Sequence, residues 1–169
     1  MGAEAVRILM MDVDGVLTSG EIHFDAGGRE TKIFHAHDGS GITYLHRQGI
    51  RTALISGRTS DVVALRAKEL GIVEVHQGVR EKIRAYESIL ERLKLRDEEV
   101  GYVGDDLLDL GCLRRAGFPV AVANAVAEAK EAAAYVTSRL GGSGAIREVA
   151  ELILKAQGKW DEVVARGGL

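Results

Sequence analysis

Ile8-Leu9-Met10-Met11 is an unbroken apolar run that stops abruptly at two acids, Asp12 and Asp14. A continuous run of this length is the pattern of a strand buried on both faces, and the predicted strand covers 8–13. Similar short runs predict strands over 51–55, 72–75, 100–103, 119–122 and 135–137. Between them, apolar residues return at helical spacing, as at Val62, Val63, Leu65 and Leu70. Helices are predicted over 41–48, 60–70, 80–94, 107–116, 126–133 and 144–156. Segments 21–25 and 29–35 alternate around Ala26-Gly27-Gly28, which predicts a β-hairpin with a short glycine turn. Strands that alternate with helices define an α/β fold, a doubly wound parallel sheet with helices on both faces. The early hairpin interrupts that alternation.

Composition narrows the class. The chain has 169 residues, 46% hydrophobic and 28% charged, and is read as one domain, 1–169. A net charge of −3 with no basic block argues against nucleic acid as a partner. No apolar run approaches a membrane span, and residues 1–11 carry no signal-peptide pattern, so a cytoplasmic protein is expected. Cys112 is the only cysteine, which excludes an internal disulfide. Gly141-Gly142-Ser143-Gly144 is expected to hinge the terminal helix of a tail over 141–169, and Trp160 to anchor that tail.

The chemistry gathers at predicted strand ends. Asp12 and Asp14, two apart, point to the same side, and Gly15 lets the backbone turn away. Two like charges so close need a counter-charge or a proton on one of them. Leu54-Ile55 ends in Ser56-Gly57-Arg58, Lys82 opens a charged helix after Gln77-Gly78, and Tyr102-Val103-Gly104 ends in Asp105-Asp106. Ligands of open parallel sheets bind outside the carboxyl ends of the strands, where all these groups fall. A hydroxyl, a lysine and two acid pairs there form a phosphate-and-metal constellation.

These four positions, in this order from Asp12 to Asp109, resemble the signatures of the haloacid dehalogenase superfamily of phosphatases. Further stretches resemble a capless branch of that superfamily: Phe34 to Gly41, Gly57 to Ser60, Gln77-Gly78, Gly104 to Asp109, Tyr135 to Glu148 and Gln157-Gly158. The intervals Thr18–Ser56 and Ser56–Lys82 are too short to hold the family's cap domains. The resemblance implies a Mg²⁺-dependent phosphatase that hydrolyses 3-deoxy-D-manno-octulosonate 8-phosphate in lipopolysaccharide synthesis. It implies Asp12 as nucleophile, Asp14 as acid/base, and Ser56, Gly57 and Lys82 as phosphate-binding groups. The implied metal ligands are the Asp12 carboxylate, the Asp14 backbone carbonyl and the Asp105 carboxylate, with Asp106 and Asp109 orienting them.

Arg58 and Arg66 are candidates for the substrate carboxylate, since a planar guanidinium binds carboxylates in bidentate fashion. Arg66 reads equally well as a surface arginine of its helix. In related phosphatases of nine-carbon sugar acids the Arg58 position tends to be acidic, which favours the eight-carbon substrate. His35, His37 and Asp38 are read as hairpin-lining residues, because no cysteine cluster accompanies them as in a structural zinc site. His37 departs from the arginine expected in this branch.

The resemblance also implies a homotetramer, with the apolar hairpin positions Ile22, Phe24 and Ile33 buried between copies and active sites at subunit interfaces. Two other readings stand beside it. One is a phosphatase of a nine-carbon sialic-type acid. The other is a non-catalytic tetramerisation domain of the same fold, against which the intact Asp12, Asp14, Lys82 and Asp105 argue.

Overall fold

The structure, a computed structural model, describes residues 2–169. In chain order the elements are β1 (Ile8–Met11), the hairpin strands β2 (His23–Phe24) and β3 (Glu30–Thr31), α1 (Ala36–Arg47), β4 (Arg51–Ile55), α2 (Asp61–Glu69), β5 (Glu74–His76), α3 (Lys82–Leu93), β6 (Val100–Gly104), α4 (Leu110–Leu113), β7 (Phe118–Ala121), α5 (Ala127–Ala132), β8 (Tyr135–Val136), α6 (Ala145–Ala156) and α7 (Trp160–Ala165). Six strands form one parallel sheet in the order β5-β4-β1-β6-β7-β8. Helices α1, α6 and α7 pack on one another, α3, α4 and α5 form a second group, and β1 between them is buried at every position. This is the doubly wound architecture expected from the alternation of elements. Among the described residues there is a hairpin insert and no cap domain.

The strand order places the site. The chain runs outward from β1 through β4 to β5, then crosses to β6 and runs outward the other way. The direction therefore reverses beside β1, and the crevice at such a switch point is where open α/β sheets bind ligands. Met11 pairs with Val103 in register, so the loops carrying Asp12 and Asp105 leave adjacent strands at the same level.

Several elements differ from the pattern along the chain. Helix α1 starts five residues earlier than its apolar spacing suggests, because its first turn is Ala36-His37-Asp38-Gly39-Ser40. That turn is fixed by tertiary contact. Asp38 Oδ2 accepts from the Gly144 N–H at 3.2 Å, and Oδ1 from the Arg147 N–H at 2.8 Å. A residue of α1 thereby caps α6 across the molecule. Gly41 serves the same junction, since a Cβ there would lie 3.0 Å from the Arg147 Cα.

The predicted helix 107–116 opens instead as a 3-10 turn, Leu107–Asp109, and is helical only over Leu110–Leu113. Asp109 is drawn back to accept from the Asp105 and Asp106 N–H groups, which tightens that turn. A short helix not foreseen, α7, closes the chain. Its Trp160 packs edge-on to Tyr44 at 6.3 Å between ring centroids and lies under the Arg147 guanidinium.

The Asp38 contacts generate a prediction. Asp38→Ala leaves two amide donors at the start of α6 without partners, a loss of about 1–3 kcal/mol. Urea unfolding should show a lower midpoint with an unchanged slope. Asp38→Asn, which keeps one acceptor oxygen, should lose less.

Candidate active site

Asp12 follows β1 directly, and its N–H still bonds to the Val103 carbonyl at 3.0 Å, so the backbone there is an extension of the sheet. Its side chain is held at both oxygens. Oδ1 accepts from the Val13 N–H at 2.7 Å, and Oδ2 lies 2.8 Å from Lys82 Nζ. Beyond it the chain turns: the N–H groups of Val16, Leu17 and Thr18 all donate to the Val13 carbonyl, and none to that of Asp14. Gly15 is required at this turn twice over. Its φ is +92°, and a Cβ would fall 2.0 Å from Asp105 Oδ2.

Lys82, the first residue of α3, spans the two acid groups. Its Nζ lies 2.8 Å from Asp12 Oδ2 and 2.8 Å from Asp109 Oδ1, and its side chain is 2% exposed. Burial alone would lower its pKa, but the two carboxylates outweigh burial and hold it above the ordinary lysine value. Asp109 is fully buried and saturated. Oδ1 accepts from Lys82 and from the Tyr102 hydroxyl at 2.7 Å, and Oδ2 from the Asp105 and Asp106 N–H groups at 3.0 and 3.2 Å.

Asp12, Asp14, Ser56, Gly57, Arg58, Lys82, Asp105, Asp106 and Leu108 line one pocket of about 190 Å³. Ser56 is fixed by its N–H to the His76 carbonyl at 2.8 Å, and its Oγ accepts from the Arg58 N–H at 3.3 Å. Arg66 lies elsewhere. It pairs with Glu69 at 2.7 Å, stacks on Phe34, and lines a separate small hollow with His35, Asp38 and Gly39. His35 and His37 meet edge to face, 5.2 Å between centroids, and neither lines the pocket.

Two residues at the site carry no sequence motif. Lys32 of the hairpin puts Nζ 2.5 Å from Asp14 Oδ1 and 3.3 Å from Glu30 Oε1. Glu30 also accepts from Arg58 at 2.8 Å, and Arg58 Nε is 3.6 Å from Asp14 Oδ2. Hydrogen bonding from Ser60, Arg58 and Lys32 outweighs burial and depresses the Glu30 pKa to about 2. The signal available was alternation: Glu30 and Lys32 share the hairpin face opposite Thr31 and Ile33.

One oxygen each of Asp12, Asp105 and Asp109 lie within 4.8 Å of one another. Burial, then the neighbouring negative charges, push the Asp12 and Asp105 pKa values up, with Lys82 opposing in both. Asp105 Oδ1 is buried without a hydrogen-bond partner. Asp109 has spent its lone pairs, so Asp12 and Asp105 are the carboxylates left to face a cation. An all-oxygen site of one or two carboxylates suits Mg²⁺, which keeps waters and substrate oxygens as its other ligands.

Comparison with known proteins agrees with this geometry. A family model described as haloacid dehalogenase-like hydrolase matches residues 60–145. The 3-deoxy-D-manno-octulosonate 8-phosphate phosphatase of Salmonella typhi is 45% identical over 160 residues, covering 95% of this chain and 85% of its own. Among solved structures, the same enzyme from Moraxella catarrhalis, in complex with magnesium ion, phosphate ion and KDO, superimposes with a TM-score of 0.96 at 42% identity, over 98% of this chain and 95% of that one. The cobalt-bound deoxy-D-mannose-octulosonate 8-phosphate phosphatase of Haemophilus influenzae gives 0.94 at 38% identity, over 99% and 98%.

The fold and the aspartate site define a hydrolase of the haloacid dehalogenase superfamily. The chain belongs to its capless branch, in the family of the 3-deoxy-D-manno-octulosonate 8-phosphate phosphatases.

The crowded carboxylates have a consequence for stability. A carboxyl whose pKa rises on folding stabilises the protein most when protonated, so that stability is lost as pH rises above the ordinary carboxylate range. In chelator, Asp105→Asn should therefore raise the melting temperature and flatten its decline with pH. Added Mg²⁺ should stabilise the parent and have much less effect on the variant. Scanning calorimetry with and without Mg²⁺ at two pH values checks both.

Proposed function

We propose that the protein hydrolyses 3-deoxy-D-manno-octulosonate 8-phosphate to the free sugar acid and phosphate through a phosphorylated Asp12. One observation carries this reading: Asp12 is fixed in direction by Val13 and Lys82 at the switch point, with Asp14 in the same pocket. Asp12 attacks phosphorus, dividing a hard hydrolysis into two easier steps. Asp14 gives a proton to the leaving sugar oxygen, then takes one from the incoming water. Lys82 has three protons and spends two on Asp12 and Asp109, which leaves one for a phosphoryl oxygen. The Ser56 hydroxyl and the Gly57 N–H supply further donors to that group.

At ~4 Å and an effective dielectric of ~20, a carboxylate and a phosphate dianion repel by on the order of 8 kcal/mol. The Asp12 and Asp105 carboxylates and the Asp14 carbonyl would hold Mg²⁺, whose positive charge would offset this repulsion. Asp106, which accepts from the Leu107 N–H, and the saturated Asp109 keep that loop in place.

Arg58 is the residue we assign to the sugar's carboxylate, by exchange of its Glu30 contact for the substrate. In related phosphatases of nine-carbon sugar acids this position tends to be acidic, so an arginine here favours the eight-carbon acid. Arg66, stacked on Phe34 and paired with Glu69, serves packing.

We extend the reading to a cytoplasmic homotetramer with active sites at subunit interfaces. Among the described residues, no helix is long and apolar enough to cross a membrane. Ile22, Phe24 and Ile33 are 41%, 60% and 73% exposed on the hairpin; Phe24 pairs with Glu30, so Ile33 lies on the other face from Phe24 rather than beside it, and both faces offer apolar side chains for a second copy to bury.

A panel of sugar phosphates with Mg²⁺ tests the function. The eight-carbon acid phosphate should give the highest kcat/KM, above the nine-carbon acid phosphate and neutral sugar phosphates. Asp12→Asn, nearly isosteric, should fold and turn over at least about a thousandfold more slowly, a loss of roughly 4 kcal/mol in transition-state stabilisation. Turnover within tenfold of the parent would rule out Asp12 as the nucleophile. Sedimentation at assay concentration tests the assembly, and a fully active monomer would refute the tetramer.

A further inference from the structure

The hairpin contributes a residue whose burial its position in the chain does not explain. Lys32 sits in an exposed two-stranded insert, yet its side chain is 2% exposed. Removing an ammonium from water costs several kcal/mol unless it is paired. Here the pairing forms a closed ring: Asp14 to Lys32 at 2.5 Å, Lys32 to Glu30 at 3.3 Å, Glu30 to Arg58 at 2.8 Å, and Arg58 back to Asp14 at 3.6 Å. The two acids and two bases cancel in charge. Only one oxygen of Asp14 is pinned within hydrogen-bonding distance. Lys32 takes Oδ1, while Oδ2 stands off Arg58 beyond it, in the pocket beside Asp12 and Lys82.

We infer that Lys32 is a positioning residue for Asp14: it fixes the carboxylate by Oδ1 so that Oδ2 faces the reacting group. A free aspartate in an open pocket samples several rotamers, and holding one in advance removes that entropy from the barrier. Glu30 anchors Lys32 in turn and keeps its ammonium from swinging toward Asp12 or the phosphate. The hairpin thereby belongs to the catalytic apparatus of its own chain, whatever it does between copies. This inference rests on the reading of Asp14 as the acid/base.

A double-mutant cycle tests it, using turnover of β-glycerol phosphate at saturating Mg²⁺, an alkyl ester whose leaving oxygen needs a proton and which is independent of the sugar's identity. Lys32→Met should lower kcat about thirtyfold with KM within threefold, the loss expected for one charged hydrogen bond acting in the transition state. In the Asp14→Asn background the same change should cost less than twofold, because the group it positions is gone. Glu30→Gln, which leaves the Lys32–Asp14 contact in place, should give a smaller loss that also vanishes in that background. It serves the cycle should Lys32→Met not fold. An equal loss in both backgrounds, or a kcat within threefold of the parent, overturns the inference. Near-parental turnover by Asp14→Asn itself would instead overturn the acid/base reading on which it rests.

Discussion

A buried ammonium between two carboxylates is the interaction on which the site depends. Lys82 enters at the first turn of α3, and its partners come from the ends of two adjacent strands: Asp12 after β1, and Asp109 one short turn after β6. Without that cation, Asp12, Asp105 and Asp109 would face one another as unscreened charges in a poorly hydrated pocket. With it, Asp109 becomes a fixed acceptor that also gathers Tyr102 and two backbone amides. Those amides belong to Asp105 and Asp106, so Lys82 acts through Asp109 on the loop that carries the remaining acids. The positions of nucleophile, phosphate-binding cation and metal-facing carboxylate are coupled through this single contact.

Much of this was legible along the chain, because strand ends are written locally. An apolar run followed by Asp-x-Asp-Gly specifies a buried strand, two carboxylates on one side and a turn, whatever the rest of the molecule does. Parallel pairing of β1 with β6 then brings Asp12 and Asp105 together at the carboxyl end of the sheet. The strand order was not written, but alternation of strands and helices sufficed to place the ends on one edge.

The rest was hidden where tertiary contact decides the outcome. Helix α1 begins in a polar, glycine-containing turn whose cause is the start of α6, more than a hundred residues away. Asp38 invited a metal reading beside two histidines, while its actual partners are backbone amides. Arg66 invited a substrate role on chemical grounds that any arginine would satisfy, and the fold gave it a phenylalanine ring and a glutamate. Lys32 shows the opposite case. In a small hairpin, Glu-Thr-Lys-Ile reads as a solvated face beside an apolar one, and only the ion pairs to Asp14 and Arg58 turn its charged side chains toward the pocket.

That attachment explains how so small an insert holds its place. Two strands of two residues each cannot stabilise themselves in water, and the exposed Ile22, Phe24 and Ile33 gain little from their own chain. The inner face is secured by ion pairs to Asp14 and Arg58, both of which line the pocket. Attaching a short insert through pocket-lining groups has a cost in stability, since buried ion pairs seldom repay their desolvation in full. It has a compensating effect on function: the contacts that hold the hairpin also fix the direction of the Asp14 carboxylate. The insert and the pocket are thereby joined by one ring of four side chains, two acidic and two basic.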